Sequence, residues 1–133
     1  MVCGAVSING QVIEDLPAFI GSSDVKEARL PFMRVAQLLG MSVEPKDDGL
    51  FYITNGEDIY ILRGSSEVSL VKQGEDSYFM IPPPGSSSYY CQYEMDDVFL
   101  DSGTLAGVFS LMDVTIHMSF DYDIPKIEIV RIF

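Results

Sequence analysis

The sequence predicts an α+β fold of small antiparallel sheets and hairpins with two short helices, arranged as a duplicated strand–helix–hairpin unit. Two Asn-Gly dipeptides, Asn9-Gly10 and Asn55-Gly56, lie between runs of β-branched residues, which is typical of hairpins with tight turns. Two apolar stripes recur at helical spacing, and each member of the second lies 73 residues after its counterpart in the first. The stripes are Phe32, Val35, Ala36 and Leu39, and then Leu105, Val108, Phe109 and Met112.

The first half opens with a predicted hairpin over residues 6–13. Asn9 and Gly10 supply the two positive-φ positions of its type I′ turn. Leu16–Ile20 follows as a short extended segment. Because proline cannot donate a backbone hydrogen bond, Pro17 restricts this segment to a sheet edge or to the start of a strand.

The first predicted helix begins near Pro31, where the missing N–H of proline costs nothing. Gly40 ends this helix by taking the left-handed position that follows the C-cap. Beyond the helix, Met41–Val43 begins a strand, and Leu50–Thr54 and Asp58–Leu62 form the second hairpin.

The second half repeats this order. Asp101 or Ser102 caps the second predicted helix, and Asp113 takes the left-handed position at its end, a conformation that Asp tolerates better than most residues. The segment Ile116–Phe120 then alternates apolar and polar residues, as a half-buried strand does. Ile127–Ile132 alternates in the same way and forms the closing strand.

The chain of 133 residues has the length of one compact domain, and we expect residues 1–133 to fold as a single unit. Within it, the first unit covers about residues 5–72 and the second unit about residues 96–133. The stretch of about residues 73–95 is rich in proline, serine and tyrosine, so it is predicted to be a connecting segment with an extended start.

Charge gives the strongest evidence on partners. Twenty acidic residues against eight basic ones leave a formal net charge of −12, which repels nucleic acids and anionic membrane surfaces and allows a basic protein or a cationic ligand. Nine of the acids fall between Gln73 and Pro125, a stretch without lysine or arginine. This stretch is either an acidic contact surface or a solvated face that keeps the chain soluble. No apolar run approaches the roughly 20 residues of a membrane span.

No catalytic constellation, cofactor site or metal site is predicted. Nucleophilic catalysis needs a base beside the nucleophile, and the single histidine, His117, falls on the predicted solvent face of a strand. One histidine and two distant cysteines, Cys3 and Cys91, do not supply the three or four nitrogen or sulfur ligands of a transition-metal site. The two cysteines form either one disulfide or two free thiols.

The tyrosine-rich part of the connecting segment and the acids after it form the best candidate for a partner-binding surface. Tyrosines on a loop provide a large contact area at a low entropic cost. The opposite interpretation is that these tyrosines fold back over the edge of the core. If the surface binds a cationic partner, replacing Asp96 and Asp97 by Asn should slow association and leave the stability nearly unchanged. The candidate residues are Tyr89, Tyr90, Tyr93, Glu94, Asp96 and Asp97.

Five short motifs follow one another in the order found in a known bacterial module. They are Ile8-Asn9-Gly10, Leu16-Pro17, Leu30-Pro31-Phe32-Met33-Arg34, Leu38-Leu39-Gly40 and the hairpin Leu50–Leu62. In this order they resemble the N-terminal "stalk" domain of copper amine oxidases, which also occurs widely without the oxidase. The second half is similar more weakly, through Leu105–Ile116 and Ile127–Ile132.

The resemblance implies a secreted or cell-envelope module, usually within a longer polypeptide, that acts as a spacer or as a platform for a protein or ligand. It also implies an envelope component as a possible partner. It does not imply amine oxidation, because that chemistry belongs to a different domain whose copper site needs three histidines. The alternative is a small acidic immunity protein or inhibitor that masks a basic toxin or enzyme. No signal peptide is visible after Met1, so a chain complete as it stands would be cytoplasmic.

Overall fold

The computed structural model describes residues 2–16, 18–21, 28–46, 50–64, 68–76, 78–81, 97 and 99–132. These residues form two helices and thirteen strands. The helices are α1 (Phe32–Leu38) and α2 (Ser102–Leu111). The strands are β1 (Val2–Cys3), β2 (Ala5–Ile8), β3 (Gln11–Ile13), β4 (Phe19–Ile20), β5 (Ala28–Pro31), β6 (Ser42–Pro45), β7 (Leu50–Asn55), β8 (Asp58–Gly64), β9 (Val68–Lys72), β10 (Tyr78–Ile81), β11 (Phe99–Asp101), β12 (Thr115–Asp121) and β13 (Lys126–Ile132).

The strands form three small sheets, so the fold is mixed α+β and mostly β. Sheet I has the order β1-β4-β5-β11, sheet II is the meander β10-β9-β8-β7-β6, and sheet III has the order β12-β13-β2-β3. Every strand pair is antiparallel except β13 with β2, which run parallel. The expected antiparallel arrangement is therefore correct for the hairpins and wrong at the one junction that joins the two ends of the chain.

The turns of the two predicted hairpins differ. In the first, Asn9 and Gly10 have φ angles of 50° and 83°, so both residues take the positive values that a type I′ turn requires. In the second, Asn55 pairs with Asp58 as part of the ladder, and the turn moves one residue onward, to Gly56 and Glu57. Gly56 has a φ of 64° and Glu57 does not have a positive φ, which is the pattern of a type II′ turn.

Strand β4 lies within the predicted extended segment Leu16–Ile20. It lies between β1 and β5 in sheet I and is not an edge strand. Pro17 itself lies outside the described residues.

The two helices end in the same way. The residue after each C-cap has a positive φ, 99° at Gly40 and 59° at Asp113, as the sequence predicts. In both helices the next residue donates its N–H to the carbonyl five residues earlier, at 3.0 and 2.9 Å. These bonds define a Schellman motif, which satisfies carbonyls at the end of the helix that would otherwise lack donors.

The start of α2 is also as predicted. The side chain of Asp101 accepts a hydrogen bond from the backbone N–H of Thr104 at 2.7 Å, which makes Asp101 the N-cap. This bond satisfies one of the four N–H groups that a helix leaves without a partner in its first turn.

The predicted apolar stripes form the centre of the core. All eight stripe residues are buried, and the two helices meet where the rings of Phe32 and Phe109 lie 5.2 Å apart. On β12 the exposed side chains alternate with half-buried ones, so His117 lies on the solvent side as expected. No helix in the described part of the chain is long and apolar enough to cross a membrane.

The two halves share one order of elements. A strand, a helix and a hairpin follow one another as β5-α1-β6-β7 and again as β11-α2-β12-β13. The first strands of the two units pair with each other in an antiparallel manner, with Leu30 opposite Leu100. This order agrees with the predicted unit, and the duplication itself stays a prediction.

Each helix C-terminus is held by a side chain from the other half. The Nη1 atom of Arg131, on β13, donates to the carbonyl oxygen of Leu39, the C-cap of α1, at 2.8 Å. The Nδ2 atom of Asn55, on β7, donates to the carbonyl oxygen of Met112, the C-cap of α2, at 2.9 Å. The two capping side chains also meet, since the Nη2 atom of Arg131 lies 3.4 Å from the Oδ1 atom of Asn55.

Replacing Leu39 by Ala should lower the free energy of unfolding by about 2–5 kcal/mol, because the site is buried and the truncation leaves a cavity. Leu111→Ala is the matched control, since that leucine is 52% exposed and its loss should change the stability by less than about 0.5 kcal/mol. Chemical denaturation measures both values. Equal effects of the two substitutions would contradict the packing of the first stripe.

Candidate functional site

Only one residue of the predicted partner surface lies in the described part of the chain. Tyr89, Tyr90, Tyr93, Glu94 and Asp96 fall outside it, so the surface as a whole stays a prediction. Asp97 is described, and it is half-buried.

Asp97 holds the start of α1. Its Oδ1 and Oδ2 atoms accept hydrogen bonds from the backbone N–H groups of Met33 and Arg34, at 2.8 and 2.9 Å. The N-cap residue of this helix is Pro31, whose side chain cannot supply such an acceptor. A carboxylate from a distant part of the chain therefore takes the role that a local Ser or Asp usually has, and its negative charge is favourable at the positive end of the helix.

This contact corrects the expectation that Asp97→Asn leaves the stability nearly unchanged. An amide has one acceptor oxygen where the carboxylate has two, so one of the two N–H groups loses its partner. We expect the free energy of unfolding to fall by about 1 kcal/mol, which denaturant titration can measure. Asp123→Asn is a suitable control because Asp123 is exposed in the β12–β13 turn. A loss no larger than that of the control would show that the cap contributes nothing.

A groove of about 330 Å³ lies between sheet II and the C-terminal end of α2. The strand register builds its sheet wall: Tyr60 lies opposite Lys72, and Leu70 lies opposite Phe79. Residues directly opposite each other, or two apart on one strand, share a face of a sheet, so these four side chains lie together. The groove is lined by Tyr60, Leu70, Lys72, Glu75, Phe79, Leu111 and Asp113.

The groove has a buried apolar floor and exposed apolar sides. Leu70 and Tyr60 are almost fully buried, whereas Phe79 is 42% exposed and Leu111 is 52% exposed. Two large exposed apolar side chains on opposite sides of one concave surface indicate a binding site more strongly than a single exposed leucine does, because single exposed leucines are common on soluble proteins. The shape and lining therefore suit an apolar side chain of a ligand or partner.

The polar groups of the groove are mostly acidic. Glu75 and Asp113 line it directly, and Asp58 stands beside it, paired with Lys72 at 3.5 Å between Nζ and Oδ1. Asp113 lines the groove because the Schellman motif at the end of α2 turns the chain there, close to Leu111. The pairing of Lys72 with Asp58 leaves the carboxylates of Glu75 and Asp113 to set the charge of the groove, which is negative.

Two groups of the groove have shifted pKa values. Burial raises the pKa of Tyr60, and the carboxylates of Asp58, Asp113 and Glu75 raise it further, while Lys72 opposes them. The Asp58 carboxylate is also the main cause of the raised pKa of Lys72. Both shifts move titration away from neutral pH, so the phenol stays neutral and the ammonium stays charged. This electrostatic state suits recognition by charge and hydrogen bonding.

The sequence did not indicate this groove. Its residues come from the three strands β8, β9 and β10, the loop between β9 and β10, and the end of a helix. Of these residues the sequence pattern indicates a structural role only for Asp113, at the end of a helix. The alternation in residues 68–72 shows that Leu70 and Lys72 share a face. It does not show which strands flank that face or that Phe79 stays exposed.

No cluster of three or more His, Cys, Asp and Glu side chains suited to a metal ion occurs among the described residues. His117 is exposed on β12. The side chains of Cys3 and Cys91 lie outside the described part, so their redox state stays open.

Comparison of the chain with protein-family models, with curated proteins and with solved structures finds no match. The resemblance to the stalk domain of copper amine oxidases therefore stays a prediction from the motifs.

The two raised pKa values predict that the stability falls at alkaline pH. The contribution of Lys72 is fully present below its ordinary pKa of 10.5 and is lost as the pH rises through the folded value. Tyr60 acts in the same direction: above its ordinary pKa of 10.0 the unfolded chain releases this proton and the folded chain retains it. The unfolded state is thus favoured as the pH rises through this window.

Asp58→Asn tests the cause, because it removes a carboxylate that raises both pKa values. The pKa of Lys72 and the pKa of Tyr60 should both fall, as followed by carbon NMR of the Lys72 Cε and Tyr60 Cζ atoms. Asp123→Asn should leave both values unchanged. Unchanged pKa values in Asp58→Asn would refute the assignment to Asp58.

Proposed function

We propose that the protein is a non-catalytic binding module that holds a basic segment of a protein partner in the groove between sheet II and α2. The observation that carries the proposal is the pair of exposed apolar side chains, Phe79 and Leu111, on a groove that is also lined by the carboxylates of Glu75 and Asp113. A secreted or cell-envelope location is part of the proposal and is supported by the resemblance to stalk domains alone.

The apolar part of the groove supplies the contact area. A leucine, methionine or aromatic side chain of the partner can enter between Phe79 and Leu111 and cover the buried side chain of Leu70. Burial of apolar surface contributes roughly 25 cal/mol per Å², so such a side chain is the main source of affinity. Large apolar side chains that fill pockets at the centre of an interface usually dominate its binding energy.

The charged part of the groove supplies selectivity. A lysine or arginine next to the entering apolar side chain meets Glu75 or Asp113, and an acidic residue at that place is repelled. The net charge of −12 acts in the same direction over longer distances and raises the rate at which a cationic partner arrives. The partner expected here is a flexible segment in which basic residues flank one large apolar residue.

A synthetic peptide with one leucine between arginines tests this proposal, and the matched control peptide carries glutamates in place of the arginines. Calorimetry and amide NMR shifts should show that only the basic peptide binds, with the largest shifts around Phe79 and Leu111. The affinity should fall as the salt concentration rises from about 50 to 500 mM, because salt screens the field of the carboxylates.

Two variants locate the site. Leu111→Ser should weaken peptide binding by roughly tenfold, as expected for a central apolar contact. Ile124→Ser, at an exposed isoleucine in the β12–β13 turn, should have no effect. Binding of both peptides, or equal effects of the two serine variants, would overturn the proposal.

A further inference from the structure

The longest strand at the edge of a sheet is β12, which has seven residues. Among the described residues its only neighbour in sheet III is β13. The other edge strands, β1, β3, β6, β10 and β11, have between two and four residues. A long strand with one open side presents a row of backbone N–H and C=O groups that can pair with another strand.

Strand β12 lacks the features by which proteins usually block such an edge. It contains neither proline nor lysine, and its only carboxylate is Asp121 at its last position. The edge strand β6, by contrast, ends in Glu44-Pro45, and Glu44 pairs with Lys46 at 2.8 Å. Exposed and half-buried side chains alternate regularly along β12, so a second strand paired with it in register would continue both faces of the sheet.

We infer that β12 pairs with the β12 strand of a second copy of this chain, in an antiparallel manner, to form a weak symmetric dimer. Centring the pair on Met118 joins all seven residues and keeps the two faces of the sheet aligned. On the inner face Ile116 then meets Phe120 of the other copy. On the outer face His117 meets Ser119, and Thr115 meets Asp121.

Two observations and one symmetry argument favour a second copy as the occupant of this edge. In this register no residue faces a like charge, although the whole chain carries a net charge of −12. The exposed residues Val130 and Ile132 lie on the outer face next to β12, opposite His117 and Thr115, so apolar surface continues from the contact into the sheet. A two-fold pair of identical edges also closes on itself, and a discrete dimer results in place of a fibre.

The proposed dimer contact does not depend on the groove. The dimer and peptide binding in the groove should respond to salt in opposite directions, so a salt titration distinguishes them. Screening weakens the attraction between the acidic groove and a basic peptide. It strengthens the dimer, because the long-range repulsion between two acidic copies decreases. A contact made by one strand is at the small end of interface sizes, so the dissociation constant should be on the order of tens of micromolar to one millimolar.

Sedimentation equilibrium over a wide range of protein concentration measures the dimer and its salt dependence. The double variant His117→Lys, Ser119→Lys places lysines opposite each other twice and should weaken the dimer at least about tenfold. The variant His117→Glu, Ser119→Lys places a glutamate opposite a lysine twice across the contact, and it should restore the dimer. The control Gln11→Lys, Val12→Lys adds the same charge at the other edge of sheet III and should not weaken it.

Amide hydrogen exchange provides a second measurement that does not depend on a substitution. Exchange at β12 should slow as the protein concentration rises, while exchange at β6 should not change. A chain that stays monomeric up to about 1 mM, or a dimer that the opposed lysines do not weaken, overturns the inference. Failure of the glutamate–lysine variant to restore the dimer also overturns it, since the Met118-centred register would then be wrong.

Discussion

Both helices end against side chains from the opposite half of the chain, and this reciprocal capping links sheets II and III to the two helices. Arg131 holds the last carbonyl of α1, and Asn55 holds the last carbonyl of α2. Helices of seven and ten residues have little stability of their own, because nucleation costs more than so few backbone bonds return. Their ends are therefore ordered by tertiary contacts, and the two capping side chains touch each other at the centre.

The same contact determines the shape of the groove. The bond from Asn55 to Met112 joins sheet II to the end of α2, so Leu111 and Asp113 lie over the face that carries Tyr60 and Lys72. The groove and the β12 edge therefore offer their partners different kinds of interaction. The first combines an apolar floor with negative charge, whereas the second is a backbone edge with a single carboxylate, Asp121, at its end.

Local structure was predictable from the sequence where a residue interacts with backbone groups only a few positions away. The turn at Asn9-Gly10, the cap at Asp101 and the left-handed Asp113 each satisfy a local backbone requirement, so residue type alone predicts them. The two apolar stripes were predictable for the same reason, because a helical period of 3.6 residues is a local property.

Contacts between residues that are distant in sequence were not predictable in this way. Asp97 caps a helix more than sixty positions before it, and no local pattern connects the two. The second hairpin turn lies one residue beyond Asn55, since the side chain of Asn55 is engaged with α2 and its backbone stays in the strand. The groove depends on the register of neighbouring strands and on a helix that ends above them, so residue spacing did not reveal it.

The parallel pairing of β2 with β13 has a consequence for how the chain reaches this fold during synthesis. Strand β2 is synthesised long before β13, the parallel strand that pairs with it on one side. The hydrogen bond from the Arg131 amide to Asn9 joins residues 122 positions apart. A nascent chain must therefore keep Val6 and Ile8 without this partner strand until β13 has been synthesised, and closure of a loop this long is slow. We therefore expect sheet III to be completed after the local hairpins and helices have formed.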